Sequence, residues 1–141
     1  MEIKNKRVVV TGAASGIGRA LCEEFFANEV QSIVCVDMNI EGAEETAKNV
    51  NGIAISADVS VEKDIINVIK KANEFSGGID IFCSNAGIGG KPGLLNSEPS
   101  DWDKIWGVNV MSHIHAAKNV LPQMIEQGGG YLMNTSSAAG L

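Results

Sequence analysis

A chain of 141 residues, 45% hydrophobic and 20% charged, has the size and make-up of one globular domain, and no repeat or low-complexity stretch divides it. Its formal net charge of −6 comes with scattered Lys and Arg, which speaks against nucleic acid as a partner, because phosphate contacts need clustered cations. No apolar run reaches the roughly 18 residues of a membrane span and the N-terminus lacks the apolar core of a signal peptide, so a cytoplasmic protein with no membrane partner is expected.

The first predicted element is the strand RVVVTG, residues 7–12. Gly12, Gly16 and Gly18 follow closely, just where a helix from about Ile17 to Glu29 takes over, with Ile17, Leu21, Phe25 and Phe26 on one face. Glycine loses more backbone entropy on folding than any other residue, so this clustering needs a reason. A dinucleotide pyrophosphate supplies one. Gly12 makes the tight turn, a bare backbone lets the diphosphate approach, and Gly18 lets the helix pack closely. The helix N-terminus then offers free N–H groups and partial positive charge. The spacing T-G-x-x-x-G-x-G differs from the commoner G-x-G-x-x-G, and no Lys-Ser or Lys-Thr follows, which excludes a P-loop.

SIVCVD is the second strand, and it ends in Asp37 at about 20 residues beyond the glycines. A carboxylate there can accept hydrogen bonds from ribose hydroxyls and repel a 2′-phosphate. Ser15 before Gly16 is not basic, nor are Met38, Asn39 and Ile40 after Asp37, so the expected cofactor is NAD rather than NADP. Asn39 is placed as the N-cap of a helix through about Val50. GIAISAD is the third strand, with Asp58 at its end, where its carboxylate could reach an adenine edge. Ser60 is expected to cap a helix to about Phe75, with Ile65, Val68, Ile69 and Ala72 at helical spacing.

GGIDIFCSNAG holds the fourth strand and closes on Asn85–Gly87, a turn of small residues that would let a cofactor pass. The Gly- and Pro-rich loop IGGKPGLLNSEPS leads to a long helix from Ser100 or Asp101 to about Gln127, which Pro122 should bend or end. On that helix Asn109 stands between Val108 and Val110 and needs a partner if buried. His113 and His115 point to different helix faces, and no metal site is expected. GGGYLMNTSS gives the fifth strand, with Tyr131 in or beside it. Cys22, Cys35 and Cys83 show no C-x-x-C spacing, so neither a zinc site nor a disulfide framework is supported; in their strands Cys35 and Cys83 read as small buried hydrophobes. Strands without alternation, separated by helices, indicate an α/β fold: a doubly wound parallel sheet of order 3-2-1-4-5, with a ligand crevice outside the carboxyl ends of strands 1 and 4.

TGAASGIG at Thr11–Gly18, Asp37, DVS at Asp58–Ser60, SNAG at Ser84–Gly87, VNV at Val108–Val110 and NTSSAAG at Asn134–Gly140 together resemble the short-chain dehydrogenase/reductase family, in order and spacing, over the whole chain. The resemblance implies a single Rossmann-like NAD-binding domain over residues 1–141 and an oxidoreductase that interconverts an alcohol and a carbonyl by hydride transfer. It implies that Gly12, Ser15, Gly16, Ile17 and Gly18 line the pyrophosphate and that Asp37, with Met38 beside it, holds the ribose. Asp58 and Val59 would flank the adenine, and Asn85, Ala86 and Gly87 would border the nicotinamide. Asn109 takes the place of a structural and proton-relay Asn. Ser137, with Ser136 as the alternative, takes the place of the Ser that binds the substrate carbonyl. Relatives pair through the long helix, which implies a homo-oligomer.

The family's Y-x-x-x-K element, due about a dozen residues after that Ser, has no counterpart: Tyr131 is followed four positions on by Thr135. In the family the Tyr moves the substrate proton and the Lys lowers its pKa from about 10. The expected reading is the N-terminal portion of a longer reductase, inactive by itself. The alternative is a catalytically silent NAD-binding or regulatory module.

Overall fold

Val8, Val9 and Val10 are β-branched and consecutive, and all three are at most 1% exposed in strand β1 (Arg7–Thr11), so this strand is covered on both faces. The computed structural model, which describes residues 2–90 and 94–137, adds β2 (Ser32–Asp37), β3 (Ile53–Ser56), β4 (Ile81–Ser84) and β5 (Tyr131–Asn134) in one parallel sheet of order β3-β2-β1-β4-β5. This is the order expected from the sequence. Lys91–Gly93 of the Gly/Pro-rich loop and Ala138–Gly140 of NTSSAAG lie outside the described residues.

The strands are joined by α1 (Gly16–Ala27), α2 (Ile40–Asn49), α3 (Glu62–Ser76), α4 (Pro99–Trp106) and α5 (Ser112–Glu126). Side-chain alternation along the sheet sorts them into two cores. Val8, Val10, Ile33, Cys35, Ile81 and Cys83 meet Cys22 and Phe25 of α1 and Ala43 and Ala47 of α2. Val9, Val34, Val36 and Phe82 meet Ile65, Val68, Ile69 and Ala72 of α3 and Ala116, Val120 and Met124 of α5.

Helix starts follow the available capping groups. The Asn39 side chain accepts the Gly42 amide at 3.1 Å, as its position predicts. Ser60 does not cap α3. Val61 occupies that place, while the Ser60 hydroxyl turns back to Asp58 and Asp64 accepts the Asp58 amide. The long helix begins at Pro99 rather than Ser100 or Asp101, because proline suits a first helical position and the Asp101 carboxylate takes the Glu98 amide at 2.9 Å. It is also not one uniform α-helix: a π-helical turn, Gly107–Met111, separates α4 from α5. Pro122 lies inside α5, which continues to Glu126.

Register brings the strand ends together. Thr11 pairs with Val36 and Ser84 with Asn134, so Gly12, Asp37, Asn85 and Thr135 all emerge at the carboxyl edge.

Candidate functional site

At that edge lies a cleft of about 520 Å³. Its floor is the turn from β1 into α1. Gly12 has φ +72°, and a Cβ there would stand 2.9 Å from Ala86 Cα. A Cβ on Gly18 would run into the Gly12 carbonyl. Gly16, at φ +52°, has nothing within 4 Å of a Cβ position, so its backbone faces open space. Ser15 is the N-cap of α1 in an extended conformation, but its side chain makes no capping bond. Gly16, Ile17 and Gly18 of the first turn thus line the cleft without a capping bond from Ser15, at the positive end of the helix dipole.

Asp37 stands beside this turn. Its Oδ2 accepts the Ala14 amide and its Oδ1 the Asn39 amide, both at 3.0 Å. The carboxylate is thus held by the turn on one side and by the start of α2 on the other.

The opposite wall is built from β4 and β5 around one hydroxyl. Thr11, 3% exposed, donates from Oγ1 to the Cys83 carbonyl at 3.3 Å and accepts the Asn85 and Ala86 amides at 2.9 and 3.1 Å. The Asn85 side chain is committed at both ends: Nδ2 donates to the Thr11 carbonyl at 3.1 Å, and Oδ1 accepts from Thr135 Oγ1 at 3.0 Å. Asn85 therefore presents a braced surface rather than a free amide. Asp58 is similarly occupied, its Oδ1 accepting both the amide and the hydroxyl of Ser60 at 2.9 and 2.6 Å.

Gly12, Ser15, Gly16, Ile17, Gly18, Asp37, Met38, Asp58, Val59, Asn85, Ala86 and Gly87, the residues singled out from the sequence for a cofactor, all line this one cleft. Ile17 and Met38 are 65% and 66% exposed at its rim. Asn109 acts one step behind the wall. Its Oδ1 accepts the Ile88 amide and its Nδ2 donates to the Ile88 carbonyl, both at 2.9 Å, and Ile88 lines the cleft. Ser137 stands exposed beyond the end of β5 and is not among the lining residues.

Sequence reasoning missed Ala57, Ser60, Ile88, Lys104, Val108 and Thr135 as lining residues. For two of them a signal existed: Lys104 and Val108 are four apart, one helix face, and Val108 adjoins Asn109. Thr135 follows a strand whose pairing with β4 could not be registered without the fold. Among the described residues no three His, Cys, Asp or Glu side chains gather to hold a metal ion, and no helix is long and apolar enough to cross a membrane.

The profile of the family described as short chain dehydrogenase matches residues 6–141. This chain belongs to the short-chain dehydrogenase family. An uncharacterized oxidoreductase of Staphylococcus epidermidis is 33% identical over 141 residues, covering 99% of this chain and 61% of the relative. The 3-oxoacyl-[acyl-carrier-protein] reductase of Thermotoga maritima is 32% identical, covering 100% of this chain and 59% of the relative. A crystal structure of a short-chain dehydrogenase/reductase from Burkholderia phymatum in complex with NAD superposes with a TM-score of 0.93 at 29% identity, covering 99% of this chain and 52% of that one. The chain thus spans between about half and three-fifths of the length of these family members.

Proposed function

We propose that the cleft binds NAD(H) and that the chain serves an oxidoreductase interconverting a small-molecule alcohol and its carbonyl compound. One observation carries the reading: the glycine-rich first turn of α1, without a capping side chain from Ser15, and the doubly anchored Asp37 carboxylate open into the same cleft. The residues fit the group. The open space over Gly16 leaves room for a diphosphate against main-chain amides, and a helix N-terminus favours that charge.

On this reading the amides of the α1 turn hold the diphosphate. Asp37 receives the adenosine ribose hydroxyls, and its charge turns away a 2′-phosphate. Ala57 and Val59, buried in the wall, give an apolar seat for adenine beside Asp58, with Met38 and Ile17 covering the rim. Ala86 and Gly87 border the nicotinamide, where the lack of bulky side chains admits the ring. A nicotinamide held there would supply the hydride chemistry of the reaction. Asn109 fixes Ile88 and hence the wall on that side, and Ser137 donates a hydrogen bond to the substrate oxygen. The complex with NAD described for the Burkholderia phymatum relative supports the choice of cofactor.

The test is a fluorescence titration of the chain with NADH and NADPH. Wild type should favour NADH. Asp37→Ala should weaken NADH about tenfold, the loss of a charge-assisted hydrogen bond, and narrow the gap to NADPH. NADH binding left intact by Asp37→Ala would refute the assignment of Asp37.

A further inference from the structure

The Ala13–Ala14 segment of the α1 turn is gripped from behind, by α2. Thr46, fully buried, donates from Oγ1 to the Ala13 carbonyl at 2.8 Å, with a longer contact of 3.1 Å to the Gly42 carbonyl. Arg19 Nη2 donates to the Ala14 carbonyl at 2.7 Å and reaches Glu45 of α2 at 3.1 Å. Gly42 lies so near the turn that a Cβ on it would stand 2.8 Å from Ala14 Cβ. The amide of the same Ala14 holds Asp37 Oδ2, and the amide that holds Oδ1 belongs to Asn39, the cap of α2. The carboxylate is therefore suspended between two amides whose separation depends on how α2 sits against the turn.

We infer that Thr46 and Gly42 are positioning residues for Asp37 and that they set the preference for a free ribose over a 2′-phosphorylated one without touching either. The inference rests on the reading of the cleft as a dinucleotide site. Without the Thr46 hydroxyl the Ala13 carbonyl is buried with no donor, and the turn must move to find one. A Cβ on Gly42 pushes the same turn directly. In both cases the Ala14 amide leaves Asp37, whose carboxylate swings toward water. There it is a poorer acceptor for ribose and a weaker barrier to phosphate. Selectivity is a difference of two affinities, so this loss appears in their ratio.

The experiment titrates NADH and NADPH, by fluorescence, against wild type, Thr46→Val, Thr46→Ser and Gly42→Ala, with a melting curve for each. Thr46→Val and Gly42→Ala should lower the NADH-over-NADPH ratio about tenfold, while Thr46→Ser keeps the wild-type ratio. Variants that weaken both dinucleotides in equal proportion, at any melting temperature, overturn the inference and leave the NAD reading standing. Should Thr46→Val fail to fold, Gly42→Ala decides, because the one atom its Cβ meets under 3 Å is the Ala14 methyl and not main chain. A wild-type chain that binds neither dinucleotide refutes the dinucleotide reading and this inference with it, whereas one that binds both alike keeps the dinucleotide site and refutes the preference that the inference explains.

Discussion

At Gly18 the constraint is space, and at Gly16 it is the backbone angle, so the two glycines should fail by different amounts. Alanine at Gly18 drives a methyl group into the Gly12 carbonyl, which is main chain and cannot rotate away. Overpacking of this kind costs about 1–3 kcal/mol, and a backbone obstacle puts it at the upper end. Alanine at Gly16 meets no atom within 4 Å and bears only the left-handed φ of +52°. That costs about 1–2 kcal/mol. Urea unfolding should therefore rank Gly18→Ala as clearly the less stable variant; equal losses would mean that the helix can shift to make room. Both glycines were legible in the sequence because they interrupt a strand-to-helix junction where their cost demanded explanation. Thr11 was not legible in the same way. It ends an apolar strand like any β-branched residue, and its hydroxyl matters only because β4 places two amides against it, 74 and 75 residues further along.

At the scale of elements, the sequence was a good guide wherever a single helix or strand buries one face. SIVCVD is β2 to the residue, and α2 begins beside its predicted Asn39 cap. It was a poor guide where a neighbour decides. Ser60 resembles an N-cap, but Asp58 lies two residues away and takes its hydroxyl. The π-helical turn at Gly107–Met111 leaves no mark in apolar spacing, and such turns often accompany functional sites. Here the turn carries Asn109, whose side chain closes a two-bond bridge to Ile88. The need for a partner was foreseeable; its identity, main chain from the loop after β4, was not. Asn109→Leu removes both bonds. Ile88 is 36% exposed, so water can replace them, and the stability loss should stay near 1 kcal/mol. The larger effect should be kinetic. Amide exchange at Ile88 and its neighbours should quicken severalfold in the variant, while exchange in β1 stays unchanged. Unaltered exchange at Ile88 would show that the loop is held by other contacts.

Across the whole molecule, the two edges of the sheet are built for different purposes. The carboxyl edge holds the cleft, with Asp37 and Asp58 in its lining. The opposite edge is a clamp. Arg7, at the start of β1, donates from both its main-chain amide and Nε to Asp80 Oδ2 and from Nη2 to Oδ1, each at 2.8 Å, and reaches the Gly77 carbonyl at the end of α3. Asp80 lies just before β4, so the pair joins the two central strands. Both side chains are only 21% exposed. The hydrogen bonds from Arg7 hold the Asp80 carboxyl below its ordinary range, against the opposing effect of burial. The direction of the pH dependence follows. Above the ordinary carboxylate value of about 3.9 the group is ionised in both folded and unfolded chains, and its stabilisation is complete. As pH falls through that value the unfolded chain takes up the proton first, and stability drains away until the folded carboxyl is protonated as well. Asp80→Asn should accordingly cost about 2 kcal/mol at neutral pH, a figure typical of hydrogen bonds to a charged group, and the penalty should shrink steadily below about pH 4. Urea midpoints for the two proteins, measured from pH 7 down to pH 2, should converge on the acid side, with NADH affinity at pH 7 the same in both because the clamp lies at the far edge from the cleft. Parallel midpoints across that range would mean that Asp80 is not what the acid limb titrates.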